Sequence, residues 1–145
     1  MEKLDRRILA LLARDGRMSY TDIGKETGLS TSAAQQRVRR LEQRGVIKGY
    51  TAVLDAAELG LMVTAFVAIK PFDPAQSDDA SDRLRHIEEI ISCYSVAGEA
   101  SYLLKVQVPT MGDLEALLAR IRTDGNVSTH TTTVLSVPYE GRPQI

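Results

Sequence analysis

Cysteine is nearly absent from the sequence: Cys93 is the only one among 145 residues. A single cysteine excludes a disulfide within the chain and any metal site built from a cysteine cluster. Apolar runs are short as well. None approaches the ~18 residues that a membrane-spanning helix needs, and no basic, apolar signal peptide opens the chain. We therefore predict a cytoplasmic protein with no membrane partner, no metal site and no cofactor.

Residues suited to catalysis are equally sparse. The two histidines, His86 and His130, fall on different predicted elements and have no basic run beside them. No arrangement of serine, histidine and aspartate suggests a nucleophile, and no glycine-rich loop is suited to cradling a phosphate. We interpret both histidines as ordinary surface or core residues, and the sequence favours a protein that is not an enzyme.

Charge is unevenly distributed along the chain, although the formal net charge is only −1. Residues 1–50 carry 11 Lys/Arg and 6 Asp/Glu, a balance of +5, whereas residues 51–145 carry 7 and 13, a balance of −6. A basic first third beside an acidic remainder indicates two domains, of which only the first favours a polyanion. Each part would bury a modest core, so oligomerisation is an expected source of further stability.

The most informative stretch is 30–44, with the sequence STSAAQQRVRRLEQR. Ser30 is a good helix N-cap, and Gly45 is a natural stop. An apolar stripe at helical spacing marks the buried side, and it consists of Ala34, Val38 and Leu41. Glutamine can bind base edges, and arginine can bind guanine or neutralise phosphate, so the opposite face suits a DNA major groove. That face carries Ser32, Gln36, Arg39, Arg40 and Gln43. Taken alone, the same pattern also fits an exposed, charged helix face.

Two shorter helices are predicted before this one. Asp5 can cap the first, which ends before Gly16. Its apolar stripe consists of Leu4, Ile8, Leu11 and Leu12. The second begins at Ser19 and stops at Gly28, so that two helices joined by a tight turn predict a helix-turn-helix. Gly24 lies inside the second helix, where glycine costs ~1 kcal/mol against alanine. We expect a close approach of the next helix to compensate, and an incidental weak position is the alternative.

The segment after Gly45, VIKGYTAVLD, is rich in β-branched and aromatic residues and is predicted to form strands. A short β-wing there would touch the DNA backbone, with Lys48 as the contact. A solvated loop charge is the equally plausible interpretation of Lys48. The segment then continues into the second half of the chain.

The second half alternates strands and helices. Strands are predicted at 62–70, 90–98 and 102–108 and in the threonine-rich stretch after Gly125. Helices are predicted over 79–89 and 111–122, with Leu84 and Ile87 facing inward in the first. The order βαββαβ is ferredoxin-like. Apolar residues alternate onto both sides of the first strand, which implies that both sheet faces are covered and that a partner covers the second.

These stretches resemble the Lrp/AsnC (leucine-responsive/asparagine-responsive, feast/famine) transcriptional regulators over nearly the whole chain. The resemblance rests on LDRRIL (4–9), GRMS (16–19), GLS (28–30), RVRRLEQRGVIKGY (37–50) and VAGEASYLLKV (96–106). It implies an α+β protein with an N-terminal winged helix-turn-helix over 1–50, a strand and linker over 51–61, and a ferredoxin-like βαββαβ domain over 62–145 for effector binding and oligomerisation. It further implies a homodimer that assembles to an octamer or larger, and regulation of amino-acid metabolism in response to amino acids.

Two sets of site residues follow from the helix pattern and this resemblance. The candidates for contact with double-stranded DNA are Ser30, Thr31, Ser32, Gln35, Gln36, Arg37, Arg39, Arg40 and Lys48. A zwitterionic effector needs donors for its carboxylate, acceptors for its ammonium and a pocket for its side chain. The candidates for these roles are Ser95, Gly98, Glu99, Ala100, Ser101, Tyr102, Arg122, Thr129 and Thr131.

Three positions depart from the family pattern. Gly24 stands where alanine is usual, Ala34 stands where a larger aliphatic residue is common, and Ser101 stands where many members carry an aspartate. That aspartate suits an effector's ammonium, so Ser101 puts the ligand in question and shifts the acceptor role to Glu99. A tight hairpin at Gly98 with a solvated Glu99 is the alternative at this turn. For the whole chain, the alternatives are a DNA-compacting architectural protein without ligand control and a tetrapyrrole-binding, decarboxylase-like enzyme.

Overall fold

The computed structural model describes residues 1–145, which form two compact units. The first contains residues 1–53 together with 139–145, and the second contains residues 54–138. None of the helices has the length and apolar character that crossing a bilayer requires.

Three helices form the first unit: α1 (Lys3–Arg14), α2 (Tyr20–Thr27) and α3 (Thr31–Gln43). Serine hydroxyls begin the second and third, since Ser19 accepts from the N–H of Asp22 and Ser30 from the N–H of Ala33. Gly28 ends α2 in the left-handed region, at φ 76°. The predicted helix-turn-helix is confirmed.

Asp5 does not cap α1, which corrects the sequence prediction. Glu2 is the N-cap residue and makes no side-chain capping bond. Asp5 lies inside the first turn and is only 8% exposed, and its carboxylate accepts a hydrogen bond from Arg37 at 2.9 Å. The ion pair with α3 has drawn the side chain inward, away from the backbone N–H groups at the helix start.

Gly24 is explained by a close approach, but to a turn and not to a helix. A Cβ at this position would lie 2.5 Å from the carbonyl oxygen of Leu29, in the turn that joins α2 to α3. The N–H of Leu29 donates to the carbonyl of Gly24 at 2.9 Å, which fixes this turn on the helix. Glycine is therefore what allows the turn to be so tight.

The predicted β-wing is absent, because residues 44–62 contain no strand. The N–H groups of Val46 and Ile47 both donate to the carbonyl of Leu41, at 3.0 and 3.2 Å, so they end α3 and are not available to a strand ladder. Gly45 makes this reversal possible at φ 70°. A β-prone stretch needs a partner strand, and this chain offers none there.

The second unit contains β1 (Val63–Pro71), α4 (Ala80–Arg83), β2 (Ile90–Ser95), β3 (Tyr102–Val108), α5 (Met111–Gly125) and β4 (Val127–Thr133). The strands form one antiparallel sheet in the order β2-β3-β1-β4. This is the expected ferredoxin-like arrangement, which confirms the predicted fold class. Its core lies between the helices and one sheet face, where Val67, Leu104 and Ile121 are at most 1% exposed.

Both helices of this unit differ in length from the prediction. The helix expected over 79–89 is a single turn, Ala80–Arg83, because the chain continues in tight turns in which the N–H of Ile87 donates to Leu84 and that of Ile90 to Ile87. These turns still bury Leu84 and Ile87. Helix α5 runs three residues further than expected, to Gly125, and Asn126 ends it at φ 50°.

The two sheet faces are unequal. Ala65, Val67 and Ile69 of β1 face the helices and are at most 1% exposed. Phe66 and Ala68 point to the other face and are only half-buried. The second face therefore keeps an apolar strip that this unit does not bury.

Candidate functional site

Helix α3 separates a buried side from a charged one. Ala34, Val38 and Leu41 are at most 1% exposed and form the core with Ile8 and Ile23. The opposite side is exposed and carries Ser32, Gln36, Arg39, Arg40 and Gln43. Residues at 3.6-residue periodicity share a face, so these side chains lie along one surface of the helix.

The polar side chains in the middle of that surface have no partner within the protein. Gln36, Arg39 and Arg40 make no side-chain hydrogen bond or ion pair. An arginine that neutralises no carboxylate in its own chain is available to a phosphate, and a free glutamine is available to a base edge. The surface therefore carries the side chains needed to bind the phosphates and the base edges of a nucleic-acid groove.

The first turn of α3 is more constrained. Ser30 Oγ accepts from the backbone N–H of Ala33 at 3.2 Å and lies 3.3 Å from Ser32 Oγ. Thr31 Oγ1 lies 3.3 Å from Thr21 Oγ1 of α2. These hydroxyls set the start of α3 relative to α2, and all of them are exposed.

Arg37 has a structural position that the sequence prediction missed. Its Nη1 donates to Glu2 Oε2 and to Asp5 Oδ1, both at 2.9 Å, and its side chain is 22% exposed. The hydrogen bonds that Arg37 donates to Glu2 and Asp5 raise the pKa of Arg37 above its ordinary value. Arg37 therefore fastens α3 to α1, and its predicted contact with DNA stays untested. Gln35 is half-buried and Lys48 is exposed beyond the helix.

The loop between β2 and β3 is anchored at both ends. The N–H of Val96 donates to the carbonyl of Ser101 at 3.1 Å, and the N–H of Ser101 donates to Ile69 of β1 at 2.9 Å. Gly98 is nearly extended at φ 159°, and a Cβ there would meet nothing within 4 Å. The loop is held by backbone bonds, and these bonds use none of its side chains.

A cavity of about 330 Å³ lies where this loop meets β1 and β4. Its lining residues are Ala68, Ile69, Lys70, Glu99, Ala100, Ser128, Thr129 and His130. Lys70 Nζ lies 4.0 Å from Glu99 Oε1, and the two side chains are 53% and 97% exposed. A cation and an anion therefore stand loosely paired at the mouth of a small cavity.

The structure brings only part of the predicted effector set to this cavity, namely Glu99, Ala100 and Thr129. Ser95 and Tyr102 line a different cavity, of about 460 Å³, beside β2. Arg122 Nη1 donates to Thr129 Oγ1 at 3.2 Å and does not line the first cavity. Gly98, Ser101 and Thr131 do not line it either.

Sequence reasoning missed Lys70, Ser128 and His130. They belong together because the register of β1 on β4 places Lys70 opposite Ser128 and Ala68 opposite His130. The alternation of each strand was visible in the sequence, but the register between them was not. Alternation specifies which face each residue takes, but registers that differ by two residues satisfy the same alternation.

The remaining histidine lies elsewhere. His86 Nε2 lies 2.9 Å from Asp124 Oδ2 in an exposed pair. The chain contains no group of three His, Cys, Asp or Glu residues positioned to hold a metal ion.

Comparison with known proteins also finds two domains in this chain. Residues 1–42 match the AsnC-type helix-turn-helix domain, and residues 64–144 match the Lrp/AsnC ligand binding domain. The chain is 50% identical over 145 residues to the HTH-type transcriptional regulator LrpA of Mycobacterium tuberculosis. That match covers 100% of this chain and 97% of the M. tuberculosis protein. The chain is 37% identical over 139 residues to the leucine-responsive regulatory protein of Escherichia coli K12, covering 93% and 85%.

Solved structures give the same result. A feast or famine regulatory protein from M. tuberculosis, complexed with L-methionine, superposes with a TM-score of 0.96 at 51% identity, covering 99% of this chain and 98% of that one. LrpC of B. subtilis superposes with a TM-score of 0.85 at 28% identity, covering 94% and 96%. Both units are matched in sequence and in fold, and the chain therefore belongs to the Lrp/AsnC family of transcriptional regulators.

Proposed function

We propose that this protein regulates transcription of amino-acid metabolism genes in the cytoplasm by binding double-stranded DNA through α3 and an amino-acid effector through the cavity beside Lys70 and Glu99. The observation that carries the proposal is the exposed surface of α3, on which Gln36, Arg39 and Arg40 have no partner within the chain. In this proposal the arginines bind phosphate or guanine and Gln36 binds a base edge. The hydroxyls of Ser30, Thr31 and Ser32 and the exposed Lys48 border the same contact.

A gel shift on the DNA flanking the protein's own gene tests the DNA contact. The double variant Arg39→Ala/Arg40→Ala should lose affinity and flatten the dependence on salt, because fewer phosphates are neutralised. Gln36→Ala should instead reduce the preference for that DNA over a random duplex. The matched control Arg85→Ala/Arg120→Ala removes two exposed arginines from the second unit and should leave binding unchanged. Wild-type affinity in the Arg39/Arg40 variant would rule out α3 as the contact.

We further propose a homodimer that assembles to an octamer. Two features support it: the half-buried strip at Phe66 and Ala68, and the large apolar side chains of Val53, Leu54, Leu59 and Met62, which are 60–98% exposed. Exposed apolar surface of this kind marks association sites. A two-fold dimer would present two copies of α3 to half-sites roughly 34 Å apart, or a multiple of that. Light scattering at micromolar concentration should give a multiple of 15.9 kDa, and a monomer would contradict the proposal.

The effector proposal uses the loose pair at the cavity mouth. An amino acid carries both charges on one carbon, so its carboxylate can replace Glu99 as the partner of Lys70, and its ammonium can replace Lys70 as the partner of Glu99. The 4.0 Å separation and the high exposure of both side chains mean that little is lost when this pair opens. Ser128, Thr129 and His130 then border the effector's side chain. The M. tuberculosis relative complexed with L-methionine supports an amino acid as the ligand class.

Calorimetry against the twenty amino acids tests this site. Glu99→Gln and Lys70→Met should each weaken the binding seen with wild type, and Gly98→Arg should block it. A Cβ at Gly98 would meet nothing within 4 Å, but its φ of 159° is one that residues other than glycine rarely adopt, so circular dichroism of Gly98→Arg must accompany its titration. Glu115→Gln, an exposed acid on α5, is the control and should bind as wild type does. Binding of no amino acid by wild type, with DNA affinity intact, would instead favour the architectural alternative.

A further inference from the structure

Helix α1 carries a second basic surface, separate from the one on α3. Its buried side is centred on Ile8, which is 0% exposed. At 100° per residue, four cations fall on the opposite side of the helix. They are Lys3, Arg6, Arg7 and Arg14, and all are exposed. We call these four residues the α1 basic stripe.

The stripe has no compensating carboxylate in its own chain. The two acids at the start of α1, Glu2 and Asp5, are both bonded to Arg37 of α3 at 2.9 Å. Asp15, just after the helix, accepts from the backbone N–H of Arg17 at 2.9 Å. None of the four stripe cations makes a side-chain hydrogen bond or an ion pair. The two acids at the start of α1 are thus paired with Arg37, and the four cations of the stripe remain unpaired.

The stripe does not belong to the groove-binding surface of α3. The Arg37–Asp5 pair and the shared core of Ile8, Ala34 and Val38 show that α1 packs against the inner side of α3. The outer side of α1 is therefore turned away from the side of α3 that carries Gln36 and Arg39. A polyanion bound to the stripe would be a different stretch of polymer from the half-site under α3.

The composition of the stripe identifies the partner. From position 3 to position 14 the cations span roughly 16 Å along the helix, long enough to follow several phosphates of one duplex. Three of the four are arginines, whose planar guanidinium groups bind phosphate in bidentate fashion. The apolar side chains beside them are Ala10, Ala13 and the half-buried Leu11, and α1 has no exposed large apolar side chain, so the large anchors typical of a protein interface are missing. This chemistry fits a phosphate backbone and does not fit a protein surface.

We propose that the α1 basic stripe is a second DNA-binding surface, which engages backbone phosphates outside the half-site contacted by α3 and reads no bases. The inference rests on the proposed DNA-binding function and adds a sequence-independent contact to it. It places DNA on two sides of each helix-turn-helix unit. Binding to long DNA is then stronger and more salt-dependent than the contacts of α3 alone provide.

The test compares salt dependence in full-length variants on a long random duplex. Arg6→Gln/Arg7→Gln/Arg14→Gln removes three stripe charges, and Arg85→Gln/Arg120→Gln/Arg142→Gln removes three exposed arginines elsewhere. Because the stripe variant leaves three phosphates without a cation, the slope of log affinity against log salt should fall in magnitude by about 2 to 3 per protomer, and affinity should drop roughly tenfold or more. Arg6→Lys/Arg7→Lys/Arg14→Lys should instead keep most of the wild-type slope. The ratio of affinities for specific and random DNA should not decrease.

The reference arm is Arg39→Ala/Arg40→Ala. If this variant loses DNA binding while the α1 glutamine variant keeps the wild-type slope, the second surface is refuted and the proposed function stands. If both bind DNA as wild type does, the proposed function itself fails. A changed mass in light scattering with an unchanged slope would assign the stripe to an acidic surface of a second copy and would also overturn the inference. Equal losses in the α1 variant and in the control variant would overturn it as a mere effect of net charge.

Discussion

The two units are stabilised in different ways. The helix-turn-helix unit has five fully buried apolar side chains, whereas the core of the sheet unit has thirteen. A core this small supplies little surplus over conformational entropy, so the first unit depends more on its polar and backbone features. These features are the serine caps of α2 and α3, the turn on Gly24 and the bonds of Arg37. The second unit depends mainly on apolar layers between sheet and helices.

The difference has a consequence for function. In the first unit the residues that stabilise the fold are polar neighbours of those proposed to bind DNA, and Arg37 and Gln36 are adjacent in one helix. In the second unit the cavity residues Lys70 and Glu99 stand at the sheet margin, outside the apolar core. Changes at the cavity beside Lys70 and Glu99 should therefore leave stability intact, whereas changes in α1–α3 should affect both stability and the proposed DNA binding.

The largest effect is expected at Gly24. In Gly24→Val the new Cβ would lie 2.5 Å from the carbonyl oxygen of Leu29, and because that atom is backbone the whole turn must move. We expect a loss of about 3 kcal/mol in the free energy of unfolding, confined to the first unit, together with loss of DNA binding. Denaturant titration followed by circular dichroism measures it. Gly49→Val is the control, since a Cβ there meets nothing within 4 Å, and equal losses in the two variants would contradict the explanation.

A smaller loss should follow when Arg37 is replaced. Arg37→Met leaves Asp5 buried without its partner, and an unpaired buried carboxylate is more costly than the pair is beneficial. The double variant Asp5→Leu/Arg37→Met removes both charges and should be more stable than Arg37→Met alone. The melting temperatures of the two variants and of wild type measure this difference in stability. If the double variant melts below Arg37→Met, the pair does not act as we describe.

The helix-turn-helix was predictable because its signals are local. Ser19, Ser30 and Gly28 act within one turn of where they stand, and the stripe of Ala34, Val38 and Leu41 specifies its own buried side. The errors arose where a distant residue intervened. Asp5 was expected to cap α1, but Arg37, far along the chain, pairs with it. The β-prone segment after Gly45 formed no strand because no partner strand is present in the chain.

The cavity was less predictable for the same physical reason. Glu99 and Ala100 were expected from the turn itself, but Lys70 and His130 come to the cavity only through the pairing of β1 with β4. Arg122 was expected to serve the effector's carboxylate, and that prediction stays untested; in the structure it donates to Thr129. The alternation of each strand predicts which face a residue takes. It does not predict which residue of a distant strand lies opposite, because registers two residues apart give the same faces.

Gly125 in the second unit contrasts with Gly24, because its nearest neighbours are side-chain atoms and not backbone atoms. A Cβ on Gly125, at the end of α5, would meet side-chain atoms of Leu84 and Val127 at 3.2 to 3.3 Å. Side chains can adjust where a backbone carbonyl cannot, and alanine gains ~1 kcal/mol of helix propensity. Gly125→Ala should therefore change the free energy of unfolding by no more than about 1 kcal/mol. Denaturant titration beside Gly24→Val measures the contrast, and a loss as large as that of Gly24→Val would remove the distinction between side-chain and backbone neighbours.

The smallest expected effects are two pH-dependent contributions to stability, one in each unit. The contribution in the first unit is lost at alkaline pH, and the one in the second unit is lost at acid pH. Burial, together with the hydrogen bond that Tyr50 donates to Glu42 at 3.0 Å, raises the pKa of Tyr50 from 10.0 to about 12. A raised pKa stabilises the fold while the group is protonated, so this contribution is complete below pH 10 and is lost as pH rises through about 12. In the second unit, the pKa of Glu89 is lowered by a hydrogen bond from its own backbone N–H and by Arg120. That contribution is present above the ordinary carboxyl pKa of 4.5 and is lost as pH falls below it.

Ultraviolet titration of wild type against Tyr50→Phe isolates the Tyr50 phenol from the other tyrosines. Its midpoint should lie near 12, and Glu42→Gln should lower it, because the negatively charged acceptor is replaced by a neutral one. Stability followed at acid pH should be less pH-dependent in Arg120→Gln than in wild type, while alkaline behaviour is unchanged. A Tyr50 midpoint at the ordinary value of 10.0 would show that in solution the phenol is neither desolvated nor bonded to Glu42. The first unit would then lose one of the polar contacts that distinguish it from the second.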